Sequence, residues 1–437
     1  MLASDTEKPK LPPGPAEAFD LHTTEESFAR VAELITDYGD ICQISSPTRR
    51  STSYLINHPD YIKHVLVKNN ANYTKGVGFE RVKLLLGNGI IVSDGPFWRR
   101  QRRMIQPAFD RRLIAALMHE MVQCNLVLRD AWREKAGTGE IINITETASE
   151  LALRIVLRSI FGDDLEQMEA EGGGNPFAIL TDDSARDMQL VMKYRALRKL
   201  VQATIARRRQ GSQEHEDFLA AFMQGRDKDT GEAMTDRELI DEVMTLIVAG
   251  HETSACTLNW VWYLLSLHPE AEAEVQKEAD QIADVENPDF MQITGMSFSR
   301  QVVEEALRLY PPVWLFTRKT LEDDRLGDYF VPAGTDIFIA PYFLHRHPEF
   351  WQDVEQFKPE RFTEDAVKAR HKQAFIPFSA GPRRCIGDFF ATVEMQVHLA
   401  ILAREFHLEY VPDKPIELSP NVNLRSKHSI LMRVRSR

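Results

Sequence analysis

Cys385 lies in the run Phe378-Ser379-Ala380-Gly381-Pro382-Arg383-Arg384-Cys385-Ile386-Gly387, where arginines precede it and glycines allow a tight loop. The stretch that follows, Asp388 to Leu402, has a helical pattern. A thiol at a helix N-terminus beside guanidinium groups has its thiolate favoured by the helix dipole and by nearby positive charge. Such a thiolate can attack an electrophile or bind a soft metal. Nucleophilic catalysis needs a base, and the nearest downstream histidine, His398, sits several turns along the helix. Zinc needs further cysteines or histidines at finger spacing, which the sequence does not place there. A single thiolate without protein co-ligands suits a metal whose other ligands come from a macrocycle, which is haem iron.

Three further groups of residues carry chemistry. Ala249-Gly250-His251-Glu252-Thr253-Ser254 sets an acid beside a hydroxyl, suited to proton donation within hydrogen-bonding reach. Glycine inside a helix costs roughly 1 kcal/mol relative to alanine, so Ala249-Gly250 suggests a close approach to the backbone, by a flat cofactor or by dioxygen. His251-Glu252 does not make a zinc helix, because the second histidine of HExxH would have to replace Ala255. Glu305 and Arg308 share a helix face at i and i+3 and can engage a third group. Trp98-Arg99-Arg100-Gln101-Arg102-Arg103 concentrates guanidinium charge, which suits carboxylates through a planar fork.

These residues must be positioned by long helices. Thr235-Asp236-Arg237-Glu238 has capping-box form, and the apolar pattern it opens runs to Leu267 before His268-Pro269. A helix that long and that apolar around Val243 to Cys256 must cross the middle of the molecule, placing Gly250 to Thr253 at its heart. A second helix from Ser299 to Tyr310 stops at Pro311-Pro312. Strands are expected at Asp40 to Ile56, as a hairpin around Ser46-Pro47, and otherwise near Asp328 to Ile339 and Ile416 to Val434. The chain reads as mainly α with small β-sheets, folded as one large domain behind a polar, proline-rich tail over residues 1–16.

With these motifs in order along nearly the whole chain, the sequence resembles the cytochrome P450 superfamily. The family's haem loop reads F-x-x-G-x-R-x-C-x-G, and Phe378, Gly381, Arg383, Cys385 and Gly387 stand at its fixed positions. Glu305-Ala306-Leu307-Arg308 and Pro359-Glu360-Arg361-Phe362 resemble its ExxR and PERF elements, which implies a buried structural triad of Glu305, Arg308 and Arg361. Trp98 and Arg102 match its WxxxR element, which contacts one haem propionate, and Arg318 and Arg383 occupy positions that supply the remaining contacts. Ala249, Gly250, Thr253 and the loop from Pro377 and Phe378 to Gly387 are implied to line the cofactor, with Cys385 as axial ligand of haem b. Glu252 and Thr253 resemble the acid and alcohol pair that relays protons during dioxygen activation.

The resemblance implies a haem-thiolate monooxygenase that inserts one atom of O2 into a C–H or C=C bond of an apolar small molecule, such as a fatty acid, terpenoid or steroid. Positions that line the family's distal pocket, namely Phe79 to Ile91, Ala249, Val313 to Phe316 and Val422 to Leu424, are mainly apolar, with Lys83 and Asn88 among the exceptions. The wording around Glu305 to Pro312 and Phe375 to Gly387 looks more like the fatty-acid and alkane hydroxylating branches than the camphor-type branch. A peroxide-driven peroxygenase is disfavoured because Glu252 and Thr253 are retained; a non-catalytic haem sensor or carrier is the other alternative. Between Gly162 and Arg207 the chain is short for the two long helices and mobile loop that form the family's lid.

Composition bounds the setting. The 437 residues carry 53 basic and 65 acidic side chains, a net charge of −12, which argues against nucleic acid as partner. An electron carrier of ferredoxin or flavodoxin type, with its NAD(P)H reductase, is expected instead, because no reductase segment is fused. The cluster Arg99, Arg100, Arg102, Arg103 with Arg384 offers it a positive docking patch. Four scattered cysteines form no disulfide framework, and neither a signal peptide nor an apolar run of membrane-spanning length is evident, Ile337 to Leu344 being far too short. The expectation is a soluble, bacterial-type, cytoplasmic monomer without a membrane anchor.

Overall fold

The capping signal at Thr235 is realised in full. In the computed structural model, which describes residues 9–172, 174–177 and 188–437, the Glu238 carboxylate accepts from Thr235 N at 2.8 Å and Thr235 Oγ1 accepts from Glu238 N. From this cap the central helix runs unbroken over Asp236–Leu267. It is buried along most of its length, against the helix Ile144–Phe161 on one side and the cysteine-side helix Asp388–Glu405 on another. Helix Arg111–Thr138 completes this core.

A buried polar chain locks three of these helices in register. Trp262 Nε1 donates to His398 Nε2 at 2.7 Å, so the His398 proton sits on Nδ1 and is given to Asn125 Oδ1, 2.7 Å away. Burial pushes the His398 pKa down to about 3, which keeps the ring neutral. His398 therefore serves the core and is not a base for Cys385.

The principal sheet has the order β1-β2-β5-β4-β3, built from β1 (Ile41–Ser46), β2 (Ser51–Ile56), β3 (Tyr73–Lys75), β4 (Phe316–Thr320) and β5 (Asp336–Ile339). Only β2 and β5 pair parallel in it. A terminal hairpin, β6 (Leu418–Pro420) and β7 (Leu424–Ser426), packs near the central helix, where Trp260 Nε1 donates to the Leu424 carbonyl. Ile141–Asn143, Phe406–Val411 and Leu431–Ser436 form a separate sheet, and Asp324–Leu326 pairs with Tyr329–Val331.

The hairpin at β1–β2 matches the sequence expectation, but β3, β4, Ile141–Asn143, Asp324–Leu326 and Phe406–Val411 were not anticipated. Most are too short to show a period-two pattern, and β4 buries an arginine where an apolar residue would have signalled a strand. The proline-rich tail is also more than a tail. Pro13 O accepts from Gln43 N at 2.8 Å and Lys10 O from Phe330 N at 2.9 Å. A Cβ on Gly14 would fall 2.1 Å from Gln43 O, so glycine is required for this close run along the sheet. In the short lid region, helices Asp164–Gly172 and Met188–Gln210 are seen; residues 173 and 178–187 lie outside the described residues.

Candidate functional site: an accessible thiol beside a buried cationic cluster

The cysteine loop is folded by its glycines and by one backbone bond. Ser379 and Gly381 both take left-handed conformations, and a Cβ on Gly381 would meet Leu66 O at 1.8 Å. Cys385 N then donates to Phe378 O at 2.9 Å, closing the loop, with Pro377 and Phe378 half-buried at its start. The Cys385 side chain is accessible, unlike Cys42 and Cys256. Yet the protein around it desolvates the sulfur strongly enough to raise its pKa. An accessible sulfur enclosed by protein faces a space within the fold. Gly387 N–H, Arg102 and Arg384 pull the other way, so the dipole and arginines support a thiolate without overcoming burial. A bound cation would complete that task.

Around this space stands a cluster of cations. Arg318 on β4 is 5% exposed, and the bond it makes inside the protein goes to the neighbouring Thr317 carbonyl at 2.8 Å. Its cross-strand partner on β3 is Lys75, a pairing of like charges that destabilises a ladder when nothing offsets it. The Arg383 guanidinium lies 3.9 Å from the Trp98 ring centroid and pairs with Asp94. Burial, then like charge, pushes Lys75 well below its usual range and Arg318 down to about 10. Arg383 and Arg102 are lowered as well, again chiefly by burial. Lys75, Arg318 and Arg383 thus face Asp94 as the one carboxylate acting on them among the described residues, while Arg102 is balanced by Asp388 and the Cys385 sulfur. The site lacks negative charge, and a dianionic ligand would supply it.

The sequence missed Lys75 and Asp94. Lys75 ends a three-residue strand far from every motif, and its role appears only when β3 pairs with β4. Asp94 holds both Lys75 N, at 3.1 Å, and the Arg383 guanidinium.

The structure brings Glu305, Arg308 and Arg361 together. Arg308 Nε and Nη2 bind the two Glu305 oxygens at 2.7 and 2.8 Å, and Arg361 Nε reaches Glu305 Oε1 at 3.2 Å. Lys358 N adds a further donor at 2.9 Å, while Arg308 also donates to the carbonyls of His345, Val354 and Gln356.

On the central helix, Thr253 Oγ1 donates to the Ala249 carbonyl at 2.7 Å. Glu252 turns toward the terminal hairpin, where Asn423 and Arg425 bind its oxygens. At Gly250 a Cβ would meet Val156 Cγ2 at 2.9 Å, so glycine lets the central helix pack closely on its neighbour. The arginine run also divides. Arg100 pairs with Glu238 and Asp227, and Arg103 with Asp229, so both are engaged beside the start of the central helix. Arg99 and Arg384 remain exposed near the cysteine loop, Arg384 with Asp388 at 2.6 Å.

Comparison with known proteins names this arrangement. The sequence profile described as Cytochrome P450 matches residues 12–173 and 175–433. The chain belongs to the cytochrome P450 family. It is 34% identical to cyclooctat-9-en-7-ol 5-monooxygenase of Streptomyces melanosporofaciens, across 86% of this chain and 84% of that protein. Pentalenene oxygenase of Streptomyces avermitilis is 32% identical, over 88% of each. The chloroplastic protein LUTEIN DEFICIENT 5 of Arabidopsis thaliana is 29% identical over 99% of this chain and 78% of its own length. Like other cytochrome P450s, the protein is a haem-thiolate monooxygenase of apolar small molecules that draws electrons from redox partners. The family binds haem b through a cysteine thiolate, and this site fits that cofactor: an accessible thiol and an excess of buried cations match an iron ligand and two propionates. Among the described residues no helix is long and apolar enough to cross a membrane.

Proposed function

We propose that the protein oxygenates a terpenoid hydrocarbon or alcohol, and that Cys385 is the thiolate that would hold the haem iron. The observation that carries the ligand assignment is the accessible Cys385 sulfur beside an under-neutralised cation cluster. Lys75, Arg102, Arg318 and Arg383, with Trp98, would hold the propionates; Ala249 and the loop from Pro377 to Gly387 would line the macrocycle. Haem held in this way supplies dioxygen activation at iron. The chain's own contribution is to keep the sulfur desolvated, to donate Gly387 N–H to it, and to hold Glu252 and Thr253 as proton carriers.

The substrate reading rests on relatives whose names state terpenoid substrates, cyclooctat-9-en-7-ol and pentalenene. This favours terpenoids over the fatty acids and alkanes suggested by motif wording. A ferredoxin-type donor is supported by bacterial relatives and by the exposed Arg99 and Arg384; the working unit is a cytoplasmic, single-domain monomer. The test is a spectral titration of the haem-loaded protein with sesquiterpenes, diterpenoid alcohols, carotenes and long-chain fatty acids. Terpenoids are expected to shift the Soret band by displacing water. A shift with fatty acids and none with any terpenoid would overturn the substrate assignment.

A further inference from the structure

The terminal hairpin reaches back across the fold to one side chain of the central helix. Asn423 Nδ2 donates to Glu252 Oε2, and Arg425 pairs with Glu252 Oε1, so both oxygens of this acid are held by residues far along the chain. The hairpin that supplies them is fixed. β6 and β7 pair antiparallel, Leu424 N donates to Pro312 O at 2.8 Å, and Trp314 Nε1 donates to Asn421 O at 2.9 Å. Trp260, whose Nε1 reaches Leu424 O, is stacked on Tyr310 with ring centroids 4.0 Å apart. The clamp on Glu252 is therefore anchored to both the central helix and the strand-leading segment at Pro312.

An acid whose oxygens are both bonded toward the hairpin has its rotamer set by that hairpin. Its neighbour Thr253 is likewise engaged, through Oγ1 on Ala249 O. Movement of a proton between solvent and the hydroxyl requires Glu252 to exchange one of its two bonds. We propose that Asn423 and Arg425 are positioning residues for Glu252, and that the terminal hairpin thereby controls proton delivery along the central helix. The inference rests on the proton-carrying role proposed above for Glu252. The step moves a proton only: Glu252 takes one from water, passes it on toward Thr253 Oγ1, and returns to the carboxylate held by Arg425. Among the described residues, the other titratable groups that interact with the acid are His251, kept neutral by burial at a pKa of about 4, and Tyr194, raised by burial to about 12.

The test uses the haem-loaded full chain and four variants: Glu252→Gln, Arg425→Ala, Arg425→Lys and Asn423→Ala. The carbon monoxide spectrum should stay unchanged in all of them, and substrate dissociation constants in Glu252→Gln and the two Arg425 variants. Arg425→Ala and Asn423→Ala should each lower product formed per NAD(P)H by about tenfold and raise the solvent isotope effect, with Arg425→Lys recovering part of the loss. Combining Arg425→Ala with Glu252→Gln should cost no more than Glu252→Gln alone. A second readout needs no turnover: the carboxylate infrared band that disappears in Glu252→Gln should move in Arg425→Ala. If Glu252→Gln leaves coupling intact, the proton-carrier reading fails and this inference with it. If Glu252→Gln uncouples while Arg425→Ala and Asn423→Ala do not, the positioning role alone is overturned. Should Arg425→Ala fail to fold, Asn423→Ala decides by the same criteria.

Discussion

Two of the buried charged networks in this molecule differ in balance. Around Glu305 every charge has a partner: a bidentate arginine, a second arginine and a backbone amide fill the carboxylate, and carbonyls take the remaining Arg308 protons. Around Arg318 the cations outnumber the carboxylate that faces them, and two of them sit opposite one another across a ladder. A complete network holds the fold and has no capacity left for a ligand. An incomplete one costs stability until a ligand arrives, and so marks where an anion belongs.

Breaking the complete network should have the largest effect. Arg308→Ala strands the Glu305 carboxylate in the core and is expected to cost about 3–5 kcal/mol, enough to prevent recovery of folded protein. Soluble protein with an unchanged melting temperature would show that the triad is dispensable. Breaking the incomplete network should do the reverse. Arg318→Met removes a buried like charge, so the cofactor-free protein should melt at the same temperature or higher, while haem affinity falls roughly tenfold. Lys75→Met should behave alike. A lower melting temperature with unaltered haem binding would mean the cluster is structural after all.

A third buried group sharpens the contrast. Glu394 is 1% exposed; Ser254 Oγ donates to one oxygen, and the other has no partner among the described residues. Burial raises its pKa to about 8, so it escapes imbalance by keeping its proton. The folded state then binds more protons than the unfolded one between the ordinary glutamate value of 4.5 and about 8. Stability from this group is full below that window and is lost as pH rises through it. Glu394→Gln should flatten that loss, by up to about 5 kcal/mol across the window in denaturant titrations at successive pH values. An unchanged pH slope would show that Glu394 is ionised in the fold.

What could be read from the sequence follows the range of the interactions. The Cys385 loop, the cap at Thr235, the helix through Gly250 to Thr253 and the pair Glu305–Arg308 are set by residues near one another in the chain, and each was legible. Arg361 was legible only through its motif. Lys75, Asp94, Asn423 and Arg425 were not, because strand pairing and hairpin docking bring them to the site from remote segments. The same limit explains Gly250, whose neighbour Val156 lies on another helix, and Arg100 and Arg103, whose acids lie beyond the lid helices. Local pattern finds the ligands of a reaction centre more readily than it finds what balances their charge.

The most direct test is the absorption spectrum of the reduced, carbon monoxide-bound protein, recorded for the wild type and for Cys385→His. The wild type should show the red-shifted Soret band of a thiolate-ligated haem, and the variant should lose it. A wild-type band at the position typical of histidine-ligated haem, or a thiolate band that survives the substitution, would contradict the assignment of Cys385.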